Sequence, residues 1–272
     1  MNRRVIWAMI RRDLKLVLRS RAVVLPMLLV PLILIVLLPL ILGLTMRDAV
    51  LSNPDIAEMV ALMEQMPSGT MDAFGDLSAV NQALIYFLTY FFAPLFLILP
   101  LMTASVIAAD SFAGEKERKT LEALLYTPTS DLELYVAKVL SPWLAAVVIT
   151  LLSLVGYSVV VNIVAGQMVG YIFFPNLMWI VLGVWVAPAA AGLGLGVIVM
   201  VSSRVSSFQE AYQLGSVIVL PVLLLVFGQI GGLIFFSVPF VFGVGLVIWL
   251  IDLAILWFGA RIFRRDTILS RL

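Results

Sequence analysis

The chain has 272 residues, 63% of them hydrophobic and 12% charged, with a net charge of +1. Soluble domains carry about 45–50% apolar and about 25% charged residues, so too few charges are present to cover a soluble surface of this size. The absence of cysteine excludes a disulfide framework and thiol chemistry, and the absence of histidine removes the commonest proton shuttle and metal ligand.

Apolar runs of about 20 residues span the roughly 30 Å hydrocarbon layer as helices. Six such runs occur, at Val23–Leu44, Leu84–Ala108, Val139–Val164, Leu177–Val201, Leu214–Ile234 and Phe240–Ala260. The expected fold class is therefore all-α: a polytopic membrane protein of six transmembrane helices, forming one domain over residues 1–272. Sixteen of the 17 basic residues fall on one side of these spans, and only Arg47 falls on the other. Positive residues concentrate in cytoplasmic flanks, which places both termini and the 109–138 loop in the cytoplasm of a multi-pass plasma (cell inner) membrane protein. The net charge hides this asymmetry and gives no reason to invoke nucleic acid.

Residues 1–22 precede the first span. The apolar run that follows is too long for a cleaved signal core, and no small-residue cleavage site is evident. At 100° per residue, Arg4, Arg11, Arg12, Lys15 and Arg19 share one arc, opposite Ile6, Trp7, Met9, Ile10, Leu14, Val17 and Leu18. That is the pattern of an amphipathic helix lying in the headgroup plane. A plain positive anchor for the first span accounts for the charges equally well. Asp13 interrupts the apolar arc, with Arg12 or a neighbouring element as its expected partner.

The outer segment 46–82 carries six acids against Arg47 alone. After Asn53-Pro54, a helix opening, Ile56, Met59, Val60, Met63 and Met66 keep helical spacing. A short helix on the bundle and a solvated connector both fit. On the second span, Tyr86, Thr89 and Tyr90 are the polar candidates for a pathway, although tyrosine also anchors membrane interfaces.

The loop Ala109–Lys138 holds ten charges in thirty residues between two apolar runs. Glu115 to Tyr126 is rich in helix formers and should be one helix, with Leu121, Leu124 and Leu125 as its apolar stripe. Pro128 stops it. Ser130-x-x-Glu133 is a capping box that starts the helix of the third span. Water would leave the three leucines exposed, so a docking surface accounts for them better than a solvated connector does.

Further along, Gly192 and Gly196 suit close helix contact in the fourth span, and Ser207-x-x-Glu210 opens the fifth. Gly228-Gln229-Ile230-Gly231-Gly232 and Pro239 interrupt the last two runs, as either a re-entrant dip or a tight turn. Asp252 is the charge lying deep in a span. Intramembrane acids are functional candidates by default, and a packed, hydrogen-bonded carboxyl is the plainer alternative.

The run Ser111-Phe112-Ala113-Gly114-Glu115-Lys116-Glu117-Arg118-Lys119-Thr120-Leu121-Glu122-Ala123-Leu124-Leu125, followed by Pro128, Glu133 and Lys138, resembles the cytoplasmic loop of type-2 ABC exporter permeases. Lys119 stands where that family usually has glycine, and Ala137 where glycine often precedes lysine; both substitutions raise helix propensity. Arg12-Asp13-Leu14 through Arg19-Ser20-Arg21, and Ser203-Arg204-Val205-Ser206-Ser207-Phe208-Gln209-Glu210-Ala211, are similar to the family's amino terminus and to its loop before the fifth span.

The resemblance implies a transport subunit rather than an enzyme: a permease coupling ATP hydrolysis on a separate ATPase to export. Such permeases pair as dimers, here with a second copy or a paralogous permease. Glu115, Lys116, Glu117, Arg118, Thr120, Leu121, Glu122, Leu125 and Pro128 would form the ATPase-coupling element, its charges steering and its leucines anchoring the contact. No G-x-x-x-x-G-K-[ST] phosphate loop occurs, so ATP and magnesium belong on the partner, with no catalytic residue, metal site or cofactor in this chain. A gradient-driven carrier or channel would instead predict internal repeats with matching broken helices. A membrane scaffold recruiting a soluble partner without transport is the third option.

Overall fold

The computed structural model describes residues 3–49, 77–120, 130–202, 204–205 and 207–262. The acidic outer segment past residue 49, with its spaced methionines, lies outside the described residues. So do Leu121, Glu122, Leu124, Leu125 and Pro128 of the expected coupling helix. Among the described residues there is no strand, and six helices are long and apolar enough to cross a membrane. They are Val23–Thr45, Asn81–Glu117, Asp131–Gly166, Leu177–Ser202, Phe208–Ile230 and Val238–Gly259.

The second and fourth spans form the centre. Their most apolar windows are 78% and 61% buried, against 17–22% for the other four. The second packs on the fourth and third, and the fourth packs on the sixth. The outer spans turn leucine, valine and phenylalanine outward, among them Leu28, Leu152, Leu224 and Leu253, each more than 60% exposed. In lipid those faces carry no hydrophobic penalty.

Two boundaries depart from the apolar runs in a way that matters. The second and third spans are 37 and 36 residues long. At 1.5 Å per residue each is roughly 55 Å, well beyond the roughly 30 Å hydrocarbon layer. Both helices are therefore longer than a membrane crossing requires. The third-span helix begins where expected: Ser130 accepts from the Glu133 amide while Glu133 accepts from the Ser130 amide, a complete capping box. The fifth helix starts at Phe208, earlier than its apolar run, with Ser207 accepting from the Glu210 amide.

Proline sets the local irregularity of the spans. Three π segments, Leu32–Leu37, Phe87–Phe91 and Leu182–Val186, each end two or three residues before a proline: Pro39, Pro94 and Pro188. Proline lacks an amide donor, and its ring clashes with the carbonyl four residues back, so the preceding turn widens. The freed carbonyls are not left bare. Leu88 accepts from the Tyr157 hydroxyl at 2.6 Å and Thr89 from the Trp179 indole at 2.6 Å. Trp185 accepts from Trp249, and Pro188 from Trp143. Tyr157 packs tilted against Phe92, and Trp179 meets Phe96 and Phe174 edge to face, which fills this part of the core.

The connection between the fifth and sixth spans is a turn. The fifth helix ends at Ile230 and the sixth starts at Val238, with the Leu233 and Ile234 amides both donating to the Gly228 carbonyl. Gly232 takes the left-handed conformation this reversal requires, at φ 67.

Candidate functional site

At the basic end of the bundle, the second span leaves its α-helical path once more, in a π segment at Asp110–Gly114 with no proline behind it. A single helical turn, Glu115–Glu117, follows. The ammonium of Lys138, on the third span, donates to the freed Ser111 carbonyl at 2.7 Å and to Glu115 Oε2 at 2.6 Å. It also lies 5.4 Å from the Phe112 ring centre. Lys138 is 1% exposed. Its burial follows from the helix pattern, because Leu134, Ala137 and Ser141 share its inward face.

The other oxygen of Glu115 accepts from Arg12 Nη2 at 2.8 Å, and the same nitrogen lies 3.2 Å from Asp13 Oδ1. The N-terminal helix, Arg3–Arg19, supplies both residues. Ile6, Ile10, Asp13 and Val17 form its buried face, which packs on the third span through Ala137 and Leu140. Arg4, Arg11, Lys15 and Arg19 remain exposed as expected of the basic face, with Trp7 and Leu18 exposed beside them. Arg12 departs from that face: its long side chain reaches inward to Glu115. Asp13 thereby acquires a partner. Burial pushes its carboxyl above the ordinary aspartate value of 3.8; Lys138 draws it down, Glu115 raises it and Arg12 draws it down.

Two cations and two carboxylates thus close a node between three elements. The residues just beyond Glu115 tie in a fourth. Lys116 Nζ donates to the Val205 carbonyl at 3.3 Å, and Glu117 accepts from the Phe208 amide at 2.9 Å. Phe208 is the first residue of the fifth helix, so Glu117 also meets the positive end of that helix dipole. Arg118 folds back onto Asp110, with Nη1 3.0 Å from Oδ1 and Nη2 3.4 Å from the carbonyl. A Cβ at Gly114 would stand 3.0 Å from that carboxylate and 3.2 Å from the guanidinium, so glycine is what lets the bridge close. Thr120 donates to the Glu115 carbonyl at 3.3 Å.

Glu115 is 4% exposed with both oxygens engaged, and it holds the loop to the bundle. One expectation is corrected: the helix expected from Glu115 to Tyr126 is broken. It stops after Glu117, and Lys119 takes φ 57, the left-handed conformation in which glycine carries no penalty. Lys119 therefore does not extend a helix: the position takes a backbone that glycine adopts without penalty. Glu117, Arg118, Lys119 and Thr120 are exposed, and Lys116 is half-buried.

The intramembrane candidates sit elsewhere. Tyr86 and Tyr90 stack at 5.7 Å, and Gln229 of the fifth span is buried, 3% exposed. Among the described residues the buried Thr89 hydroxyl has no partner. Asp252 is 1% exposed, and neither of its oxygens has a hydrogen-bond partner among the described residues. It packs on the fourth span, where a Cβ at Gly192 would stand 2.5 Å from Oδ2. A Cβ at Gly196 would strike Ile255, and one at Gly194 would approach the Leu101 carbonyl of the second span. The small residues of the fourth span thus seat both neighbours, which is a packing role.

Reasoning from sequence missed Lys138 as the centre of the node, together with the Asp110–Arg118 bridge. The available signal was a lysine on the inward face of an otherwise apolar helix. No curated protein matches the chain. The family model for the ABC-2 family transporter protein matches residues 7–239, from the N-terminal helix through the node to the start of the sixth span. The chain therefore belongs to the ABC-2 transporter family, as a membrane-spanning permease of an ABC transporter.

Proposed function

We propose that this permease serves an ATP-driven exporter, working as a dimer with a second copy or a paralogous permease. A separate ATPase subunit docks beneath the connection between the second and third spans. The observation that carries this reading is the wiring of one short stretch. Asp110–Glu117 reaches the N-terminal helix through Arg12, the third span through Lys138, and the foot of the fifth span through Val205 and Phe208. A displacement of that stretch moves four elements together, which is the mechanical need of a subunit whose energy arrives from outside.

The basic end faces the cytoplasm, with both termini, by the distribution of lysine and arginine. The N-terminal helix lies at the headgroups of the plasma membrane, with Arg4, Arg11, Lys15 and Arg19 toward lipid phosphates and Trp7 and Leu18 toward the acyl boundary. Leu121 and Leu125 are the apolar anchors of ATPase docking, with Glu117, Arg118, Glu122 and Pro128 around them. Cargo passes between protomers along the second and fifth spans, where Tyr86, Thr89, Tyr90 and Gln229 supply the polar surface.

The test is a Leu121→Glu/Leu125→Glu double variant of the full chain, co-expressed with its ATPase. The variant should insert normally yet lose ATPase co-purification and transport. ATPase retained at the level of the unaltered chain would refute the docking assignment. Reversing Glu115 would not discriminate, because it would place a cation against Lys138 and Arg12 and disrupt the bundle itself.

A further inference from the structure

The fifth span parts from the fourth at a break in its own helix. From Phe208 to Gly215 it packs on the fourth and second spans. A 3-10 turn follows at Ser216–Val219, and from Leu220 the helix leans on the Phe92–Phe96 segment of the second span instead. Pro221, two residues past the turn, lacks the amide donor that would continue the helical ladder there; the chain answers by tightening into a 3-10 turn, where the other prolines follow widened π segments. The divergence opens a groove of about 670 Å³ on the outer surface. Val197 and Val201 form one wall, Val217, Leu220 and Leu224 the other, and Arg204 closes one end.

Length and charge identify what fits. From Leu214 to Leu224 the groove follows ten residues of helix, roughly 15 Å, or half the roughly 30 Å hydrocarbon layer. It therefore matches the depth of a single leaflet. Arg204 is exposed and makes no ion pair among the described residues. It sits at the basic end of the bundle, one residue from the Val205 carbonyl that receives Lys116. Two acids lie nearby: Glu117 holds the Phe208 amide, and Glu210 stands one turn before Leu214. They repel an anion from the helix terminus and leave the guanidinium as the anion's contact. A two-fold contact between copies through this face would bring a second Arg204 to the same end of the seam, a like-charge arrangement that disfavours it.

We propose that the groove binds an anionic phospholipid of the adjoining leaflet, its phosphate on Arg204 and one acyl chain along Val217, Leu220 and Leu224. Basic sites between spans at the cytoplasmic face suit acidic headgroups. The proposal does not depend on ATPase docking, and a chain that failed the docking test above would still be expected to hold this lipid.

Native mass spectrometry of the delipidated full chain, titrated with phosphatidylglycerol and with phosphatidylcholine, tests it. The unaltered chain should prefer phosphatidylglycerol, and Arg204→Gln should reduce that preference by about fivefold, the effect of one cation near an anionic surface. Arg204→Lys should keep most of the preference. Val217→Trp should expel the lipid with Arg204 intact. Both sites are exposed, so a shared thermal midpoint with the unaltered chain certifies the fold. Undiminished preference in Arg204→Gln, or undiminished binding in Val217→Trp, overturns the proposal. The native chain has no cysteine, so a Val217→Cys chain reports on the rival occupant. A disulfide between copies at that position in native membranes would give the groove to a second protomer and likewise overturn it.

Discussion

Glu115 and Asp252 are both buried carboxylates, 4% and 1% exposed, and the fold handles them in opposite ways. Glu115 has a cation on each oxygen, Lys138 at 2.6 Å and Arg12 at 2.8 Å. Among the described residues Asp252 has neither a cation nor a hydrogen bond, only the space that Gly192 leaves for it. The first joins elements that approach one another from outside the hydrocarbon, where charge can be matched by charge. The second sits between two helices whose contact is set by backbone proximity. A buried acid is thus structural glue in one region and a packing concession in the other, and substitutions should separate the two.

The largest effect should come from the paired region. Lys138→Met keeps the length of the side chain but leaves Glu115 and the Ser111 carbonyl short of a donor in a buried setting. Removing one partner of a buried ion pair costs about 3–5 kcal/mol, because the remaining charge is stranded. Thermal unfolding in detergent should show that loss for Lys138→Met, and Lys138→Met/Glu115→Gln should recover a large part of it. A single variant as stable as the unaltered chain would mean that the node carries no structural load.

In the glycine-cradled region the effect should be smaller and of a different kind. Gly192→Ala places a methyl 2.5 Å from the Asp252 carboxylate. Overpacking of this type costs about 1–3 kcal/mol. Gly192→Ala/Asp252→Ala should restore stability, since the clash is with that side chain and not with backbone. Failure of the second substitution to rescue would show that Gly192 is needed for helix approach in its own right.

The division between the two regions also explains what could be inferred from the chain alone. The six spans were legible because a membrane helix is a one-dimensional property, some twenty apolar residues in a row. The capping box at Ser130 was legible for the same reason, being confined to four residues. The node was not, because Arg12 and Glu115 are 103 residues apart and Glu115 and Lys138 are 23 apart. Only Asp13 betrayed it, as an acid in an apolar arc. The prolines were visible, but not the helix's response to them. In the widened turns before Pro94 and Pro188, the carbonyls of Leu88, Thr89 and Trp185 are taken by Tyr157, Trp179 and Trp249, which lie 64 to 90 residues away. Lys119 was misread because its helix propensity is local, whereas its left-handed backbone belongs to the break after Glu117, where the chain leaves the helix.

Asp13 lies between the two cases, buried like Asp252 yet touching Arg12 at 3.2 Å, and it should give the smallest effect. Desolvation outweighs its cationic neighbours and raises its pKa above 3.8 on folding. The folded chain therefore binds this proton more tightly than the unfolded chain does. Its contribution to stability is fully present below the unfolded value and is lost as pH rises through the folded one. Near neutral pH the ionised carboxylate works against folding, so Asp13→Asn should be slightly more stable than the unaltered chain. The gap should narrow on acidification through the folded pKa and close below the unfolded value. Unfolding midpoints of both chains from pH 7 down to about pH 3, below the unfolded value, measure this directly. Parallel curves would show that the Arg12 contact fully offsets burial, and Asp13 would then belong with Glu115 as a satisfied member of the node.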